Sequence, residues 1–341
     1  MKRNQAMKRR ERDLVPGFHR RSRVNHLYCF LALVLTTVVA LACCGRAALG
    51  ATSSTEDFES GAPGWTTNGG VWQIGEPTYG PTRAHSGTNC AATILNGNYP
   101  AGANARLISP PFLVPPAADH PRLRFWHWYV MSASDPGRVE VRVVGTTNWV
   151  VISPSYYNYG DVWSRTSLDL SPYAGQQIEV AFHLTSSIGG YQGWYVDDVA
   201  IETGTPVFNN PEGFELGLGD WYVDRGTWEV GVPTYGPSKA HGGTNCVGTV
   251  LNGNYHGGLD TRLISPPMIV PAAANHPRLR FWHWYVMSAS DPGRVEVRVV
   301  GTSNWVVISP NYYNYGDVWS RTSLDLSPYA GQQIEVAFHL T

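Results

Sequence analysis

The chain is poor in cysteine and poor in charge. Five of its 341 residues are Cys, and Cys29, Cys43 and Cys44 fall in the first fifty, leaving Cys90 and Cys246. One thiol in each half of the chain builds no disulfide framework. Both head apolar runs, CAATIL and CVGTVL, and read either as buried free thiols or as a bridge between the halves. Charged residues make up 15% of the chain, a balance unlike that of helical bundles, so helix is expected to be scarce. Ten of the 25 Lys and Arg, but two of the 26 Asp and Glu, lie in residues 1–50, so the remainder sets 15 basic against 24 acidic side chains. That acidic remainder has no Lys/Arg cluster after Ala51, so nucleic acid is not expected as a partner. HExxH, GxSxG and Walker-type loops are missing as well, and no catalysis is expected.

There is one long apolar run. Residues 1–26 are strongly basic and lead into Leu27–Cys44, LYCFLALVLTTVVALACC, followed by small residues through Ala51. The pattern is that of a secretory signal peptide, with an uncleaved signal anchor as the competing reading and a lipidated Cys43 as a third. Each route exports the rest, so the expected location is extracellular or cell-surface, with membrane contact through residues 1–50 alone.

Glycine (36), Trp (13) and Tyr (18) are plentiful, which suits turn-rich β structure. The chain is also a tandem repeat. His120–Gly145 returns unchanged at His276–Gly301, and the offset of 156 holds without insertion or deletion from Phe58/Phe214 to Thr185/Thr341. From His120 to Thr185 only Thr147/Ser303 and Ser155/Asn311 differ. The domains expected are therefore 56–202 and 212–341, joined by TGTPVFNNP (203–211), a short and fairly stiff linker. Strands are predicted at residues 71–74, 90–95, 105–109, 122–131, 138–144, 149–153, 164–170, 177–184 and 194–201. Gln177–Leu184 alternates Ile178, Val180, Phe182 and Leu184 with Gln177, Glu179 and His183, an antiparallel strand with one wet face. The fold expected is all-β: two tandem antiparallel β-sandwich (jelly-roll) domains after an N-terminal signal or anchor helix. The second repeat stops before any counterpart of Ser186–Glu202, and the chain as given is expected to end inside its second domain.

DFESGAPGW, VWQIGEPTYGP, AHSGTNC, LNGNYP, RLISPPF, LRFWHWY, the VEV strand and GWYVDDVAI follow one another in the order that resembles MAM-like jelly-roll domains. They are similar also to the related β-sandwich modules attached to bacterial secreted metalloproteases of the immune-inhibitor type. The resemblance implies a concanavalin-A-like jelly roll acting as a non-catalytic extracellular module. The disulfide-forming Cys of animal MAM domains are missing, so the bacterial variety is the closer likeness, and no protease domain accompanies it.

Two groups of residues are candidates for a site. Asp197 and Asp198 near the last strand, with Glu59 near the first, would repel one another if they converged. A structural Ca²⁺ with oxygen ligands would relieve this, and the resemblance implies a cation at this corner; Glu215 repeats Glu59 in the second domain. The alternative is that the Asp pair shapes a bulge and bonds backbone amides. The second group is aromatic: Tyr156, Tyr157, Tyr159 and Trp163 in SYYNYGDVW, and Tyr312, Tyr313, Tyr315 and Trp319 in NYYNYGDVW. Aromatic planes beside amides and carboxylates can stack on sugars or grip a protein; the same residues could instead cover the sandwich edge. His127 and His283 read as hydrogen-bonded residues beneath an aromatic cluster. The function expected is adhesion or binding to an extracellular protein or glycan surface, with both repeats taking the same ligand. Carbohydrate recognition, or an ancillary role in a secreted metallopeptidase, are the alternatives.

Overall fold

The structure, a computed structural model, describes residues 55–341, so the signal, anchor and lipidation expectations lie outside the described residues. The first repeat contributes β1 (Thr55–Glu56), β2 (Thr66–Asn68), β3 (Gln73–Gly75), β4 (Cys90–Ala92), β5 (Asn104–Ile108) and β6 (Phe112–Leu113). After these come β7 (Arg122–Met131), β8 (Gly137–Val143), β9 (Val150–Val151), β10 (Asn158–Asp169), β11 (Gln177–Thr185) and β12 (Gly193–Glu202). One sheet runs β10-β7-β12-β4-β3 with β1 on β12, and the facing sheet runs β2-β5-β11-β8-β9 with β6 on β11. Every pairing is antiparallel.

Alternation decides which side chains meet between the sheets. On β11, Ile178, Val180, Phe182 and Leu184 are buried against Leu123 and Phe125 of β7, with Trp194 of β12 closing the layer. The outer face of β11 is less wet than its sequence suggests. His183 bonds Glu140 Oε1 at 2.9 Å and Asn104 Oδ1 at 2.7 Å, and Arg106 bonds the other Glu140 oxygen at 2.8 Å. The expected run SYYNYGDVW is not a loop: its second half opens the twelve-residue β10. β1, β2 and β6 are too short to leave any alternation in the sequence, and none was predicted.

The second repeat supplies β13 (Tyr222–Val223), β14 (Glu229–Gly231), β15 (Cys246–Gly248), β16 (Thr261–Ile264) and β17 (Met268–Ile269). Then follow β18 (Arg278–Met287), β19 (Gly293–Val299), β20 (Val306–Val307), β21 (Asn314–Asp325) and β22 (Gln333–Leu340). Its β13-β16-β22-β19-β20 sheet, with β17 on β22, repeats the second sheet of the first domain. The opposite layer is two separate ribbons, β14-β15 and β18-β21, because no described strand stands where β12 joins β4 to β7. A cleft of about 1780 Å³ occupies that space, with Trp228, Tyr255, Phe281 and Trp284 among the residues lining it. In the first repeat the same volume is filled by Trp194, Tyr195 and Val196, all fully buried.

The repeats are seated on each other. Residues 219–228 lie along β10 and β7, where Thr166 Oγ1 donates to Val223 O at 2.9 Å and Gly226 N–H donates to Tyr129 Oη at 2.6 Å. Arg124 and Arg122 bond Asp220 Oδ1 at 2.5 and 3.2 Å, while Arg165 donates to the carbonyls of Gly219 and Trp221. Trp126 packs on the Leu218, Trp221, Val223 and Leu263 cluster. The linker is fastened to the same group, since Val207 N–H donates to Asp220 Oδ2 at 2.7 Å.

Candidate functional site

The aromatic positions divide sharply between core and surface. Tyr156 pairs with Gly137 through both main-chain hydrogen bonds, and this turns its ring inward, fully buried against His127 at 4.7 Å and Trp194 at 5.5 Å. Tyr312 is turned the same way by Gly293 and packs on His283 at 4.7 Å. The Tyr156 ring cannot meet a ligand, which corrects its place in the expected binding set, whereas Tyr312 is half-buried and lines the cleft of the second repeat. Trp163 and Trp319 spend their indole N–H groups on the carbonyls of Arg83 and Lys239, both at 3.1 Å, and so clamp the loop before β4 and β15. Tyr157 is half-buried.

The remaining tyrosines are where the repeats differ. Tyr159 stacks on His256 at 4.3 Å, and His256 Nε2 reaches Asp161 Oδ2 at 2.6 Å. Its twin Tyr315 is 80% exposed, with Tyr313 at 46% and Trp282 at 45%. The expectation that both repeats offer the same aromatic surface is therefore corrected: the second repeat covers this surface on the first. The residues that do the covering, Asp220 and His256, were not singled out from sequence. The signal for them is the contrast between the copies, which places Gly64 opposite Asp220 and Pro100 opposite His256.

At the carboxylate corner three side chains hold one loop. Glu59 Oε1 accepts from Thr88 N–H at 2.7 Å and Asn89 N–H at 2.6 Å. Asp197 Oδ2 accepts from His85 and Ser86 N–H at 2.9 and 3.1 Å. Asp198 takes His85 Nδ1 at 2.5 Å and the Ser86 hydroxyl at 2.7 Å. A bulge between Asp197 and Ala200 with Asp198 at φ +47° lets adjacent Asp side chains reach the same loop. His85, so held, stacks on Trp126 at 3.8 Å. Burial, reinforced by the Asp198 charge and opposed by the amide donors, pushes Asp197 up to about 7. Among the described residues no three His, Cys, Asp or Glu side chains gather where one ion could bridge them. In the second repeat Glu215 likewise accepts from Thr244 and Asn245 N–H at 3.0 Å, with no Asp pair opposite among the described residues.

His127 is fully buried, Nε2 at 3.3 Å from Thr166 Oγ1, and burial lowers it to about 3. The ring is neutral at physiological pH, and no carboxylate, Ser or Cys is recorded in contact with its nitrogens. Cys90 is buried and Cys246 half-buried, both free thiols; burial pushes each thiol up, away from reactivity.

Residues 57–205 match the family described as MAM domain, meprin/A5/mu. Over 167 residues the chain is 35% identical to bacillopeptidase F of Bacillus subtilis (strain 168); the aligned stretch is 47% of this chain and 12% of that protein. The chain thus spans about an eighth of its curated relative. Among solved structures, a cleaved adhesin domain of Lys-gingipain from Porphyromonas gingivalis aligns at 22% identity over 44% of this chain and 98% of its own, with a TM-score of 0.33. A CBM22 tandem domain from Paenibacillus barcinonensis aligns at 14% identity over 84% of this chain and 89% of its own, with a TM-score of 0.30.

Proposed function

We propose that this chain, a MAM-type domain at residues 57–205 followed by a second sandwich of the same kind, works as a pair of non-catalytic extracellular binding modules. The observation that carries the reading is the asymmetry of the aromatic surface. In the first repeat the second repeat covers part of this surface, with Tyr159 stacked on His256 and 39% exposed. In the second repeat Trp282, Tyr313, Tyr315 and Val318 all stand exposed on or next to the β18-β21 ribbon, apolar surface that costs solubility unless something covers it. A partner protein fits this patch best, since it mixes apolar rings with Arg321 and Asp317. A second reading, carbohydrate binding, draws on the exposed Tyr315 ring, an aromatic plane on a strand that also carries Asn314 and Asp317. An ancillary role in a secreted peptidase is supported by the relative's name and by the small share of it that aligns. The test is to screen residues 51–341 on immobilised extracellular proteins and on a glycan array, with Tyr315→Ala as the control. Binding that Tyr315→Ala abolishes supports the reading and sorts protein from glycan; absence of binding to both overturns it.

The calcium expectation enters as part of this proposal. The fit is incomplete, because Glu59 and Asp197 already face backbone N–H donors and Asp198 is engaged by the His85 ring and the Ser86 hydroxyl. What favours a cation is Asp197, a buried carboxylate beside Asp198 that is costly to ionise. Asp197 and Asp198 would hold the ion, which would supply the missing positive charge, while Glu59, engaged with Thr88 and Asn89 N–H, is not gathered with them.

A further inference from the structure

The face of the second repeat that carries Trp282, Tyr315 and Arg321 is chemically the same as the face of the first repeat on which the second is seated. The strands that build it keep the same register: Trp282↔Arg321 and His283↔Ser320 on β18-β21 repeat Trp126↔Arg165 and His127↔Ser164 on β7-β10, with the irregularity directly after the His–Ser pair in both. Each group the first repeat presents to the second has its counterpart in place. Arg122, Arg124 and Arg165 become Arg278, Arg280 and Arg321; Thr166 and Tyr129, which take Val223 O and Gly226 N–H, become Thr322 and Tyr285. Asp161 and Tyr159, which hold His256, become Asp317 and Tyr315. In the first repeat these groups are satisfied by the neighbour, whereas Arg280 and Arg321 have no recorded carboxylate or carbonyl partner among the described residues.

We propose that this face of the second repeat seats the leading edge of a further sandwich module of the second-repeat type. The charge fixes the kind of module. Its edge must bring an acidic side chain to the place of Asp220, two main-chain carbonyls to the places of Gly219 and Trp221, and an imidazole to the place of His256. The leading edge of a first-repeat module does not meet the requirement, since it offers Gly64 and Pro100 at the two decisive positions. The seating is head-to-tail, so its symmetry does not close and successive modules would form a string. The inference deepens the binding reading above by naming the partner.

The test uses the whole chain, with the edge of one copy as the probe for another. Arg124→Glu with Arg165→Glu places two negative charges against Asp220 and the 219 and 221 carbonyls, which frees the edge of the second repeat. That edge can then seat on the unchanged second-repeat face of another copy. Sedimentation velocity is expected to show a monomer for the parent chain and, for the double variant, species of two or more copies that grow with concentration. Adding Arg280→Glu and Arg321→Glu is expected to return the protein to monomer. So is adding Asp220→Arg to the double variant, because the reversed charge restores seating within the chain; aggregation through misfolding would not be reversed in this way. A double variant that stays monomeric at every concentration overturns the proposal, as do oligomers that survive Arg280→Glu and Arg321→Glu. Neither result depends on the glycan and protein screen, so the two readings fail separately.

Discussion

At the scale of single residues, the clearest electrostatic device is one the aromatic and calcium motifs distracted from. Asp135, fully buried, accepts N–H bonds from Ser187, Ile188 and Gly189 at 2.6, 3.1 and 2.8 Å and the Tyr99 hydroxyl at 3.0 Å. Burial would raise its pKa, but these donors outweigh burial and hold it at about 2. A carboxylate held below its unfolded value adds stability that is complete above the ordinary carboxylate range and is lost as pH falls toward 2. Asp135→Ala is expected to cost about 3 kcal/mol by urea unfolding at pH 7, since it orphans several buried donors. Among the described residues its twin Asp291 meets the Tyr255 hydroxyl at 3.3 Å and Ser290 of its own turn, so Asp291→Ala should cost about 1 kcal/mol. Equal costs would show that the 187–189 loop is not what Asp135 holds. Asp197 has the opposite sign. Raised to about 7, it favours the fold while protonated, and that contribution fades as pH climbs from the ordinary carboxylate range through 7. Calcium at this corner is therefore expected to raise the melting temperature at pH 8, relative to chelator, and to do so much less at pH 5. The same melting temperature with calcium and chelator at pH 8 removes the cation from the proposal.

Among the strands, glycine separates the two repeats. A Cβ on Gly137 of β8 would lie 2.6 Å from the Trp194 ring of β12, whereas on Gly293 of β19 it would lie 3.0 Å from the tip of Met287, a flexible side chain. Gly137→Ala should cost about 1–3 kcal/mol through overpacking, and Gly293→Ala less than about 1 kcal/mol. Denaturant midpoints of the two variants decide this; similar losses would mean that Trp194 is not the obstacle. The same strands show what was legible beforehand. β7, β8 and β11 are long and alternate, so period-2 patterning placed them to within a residue. β1, β2 and β6, of two or three residues, are defined by their neighbours' ladders and leave no pattern. β10 was half missed because Tyr, Asn and Gly suggest a turn, while Gly160 is there to let the Tyr129 ring cross the strand, at 2.5 Å from where a Cβ would stand. The carboxylate corner was legible as residue types and sequence order, and the bulge at the Asp pair was one of its two readings; that the loop met by Glu59, Asp197 and Asp198 is residues 85–89 depends on the tertiary fold and left no signal in the sequence.

Over the whole molecule, two sandwiches on a linker are legible in the sequence but the contact between them is not, because a duplication hides an interface: identical faces give no hint that one is covered. Asp220 is the joint. Burial alone would raise its pKa, yet Val207 N–H, Arg124 and Arg122 hold it below the ordinary carboxylate value, so it is ionised at neutral pH and engages linker and first repeat together. Removing it leaves Arg124 with Glu202 at 2.7 Å, which spares the first repeat an unpaired buried charge, so the loss falls on the contact between repeats. Asp220→Ala should weaken that contact by about 2 kcal/mol, below the cost of breaking a buried pair outright because Glu202 remains. The first repeat, with its continuous sheet and filled core, has more buried apolar surface than the second, whose β14-β15 and β18-β21 ribbons stand apart. Coupling is what lets the weaker repeat share the melting of the stronger. Differential scanning calorimetry is therefore expected to show one transition for the parent chain and two for Asp220→Ala, the lower belonging to the second repeat and identifiable by Trp282 or Trp284 fluorescence in Trp→Phe backgrounds. A single transition at an unchanged temperature in Asp220→Ala would show that the repeats melt together for some other reason, and that the Asp220–arginine cluster does not couple them.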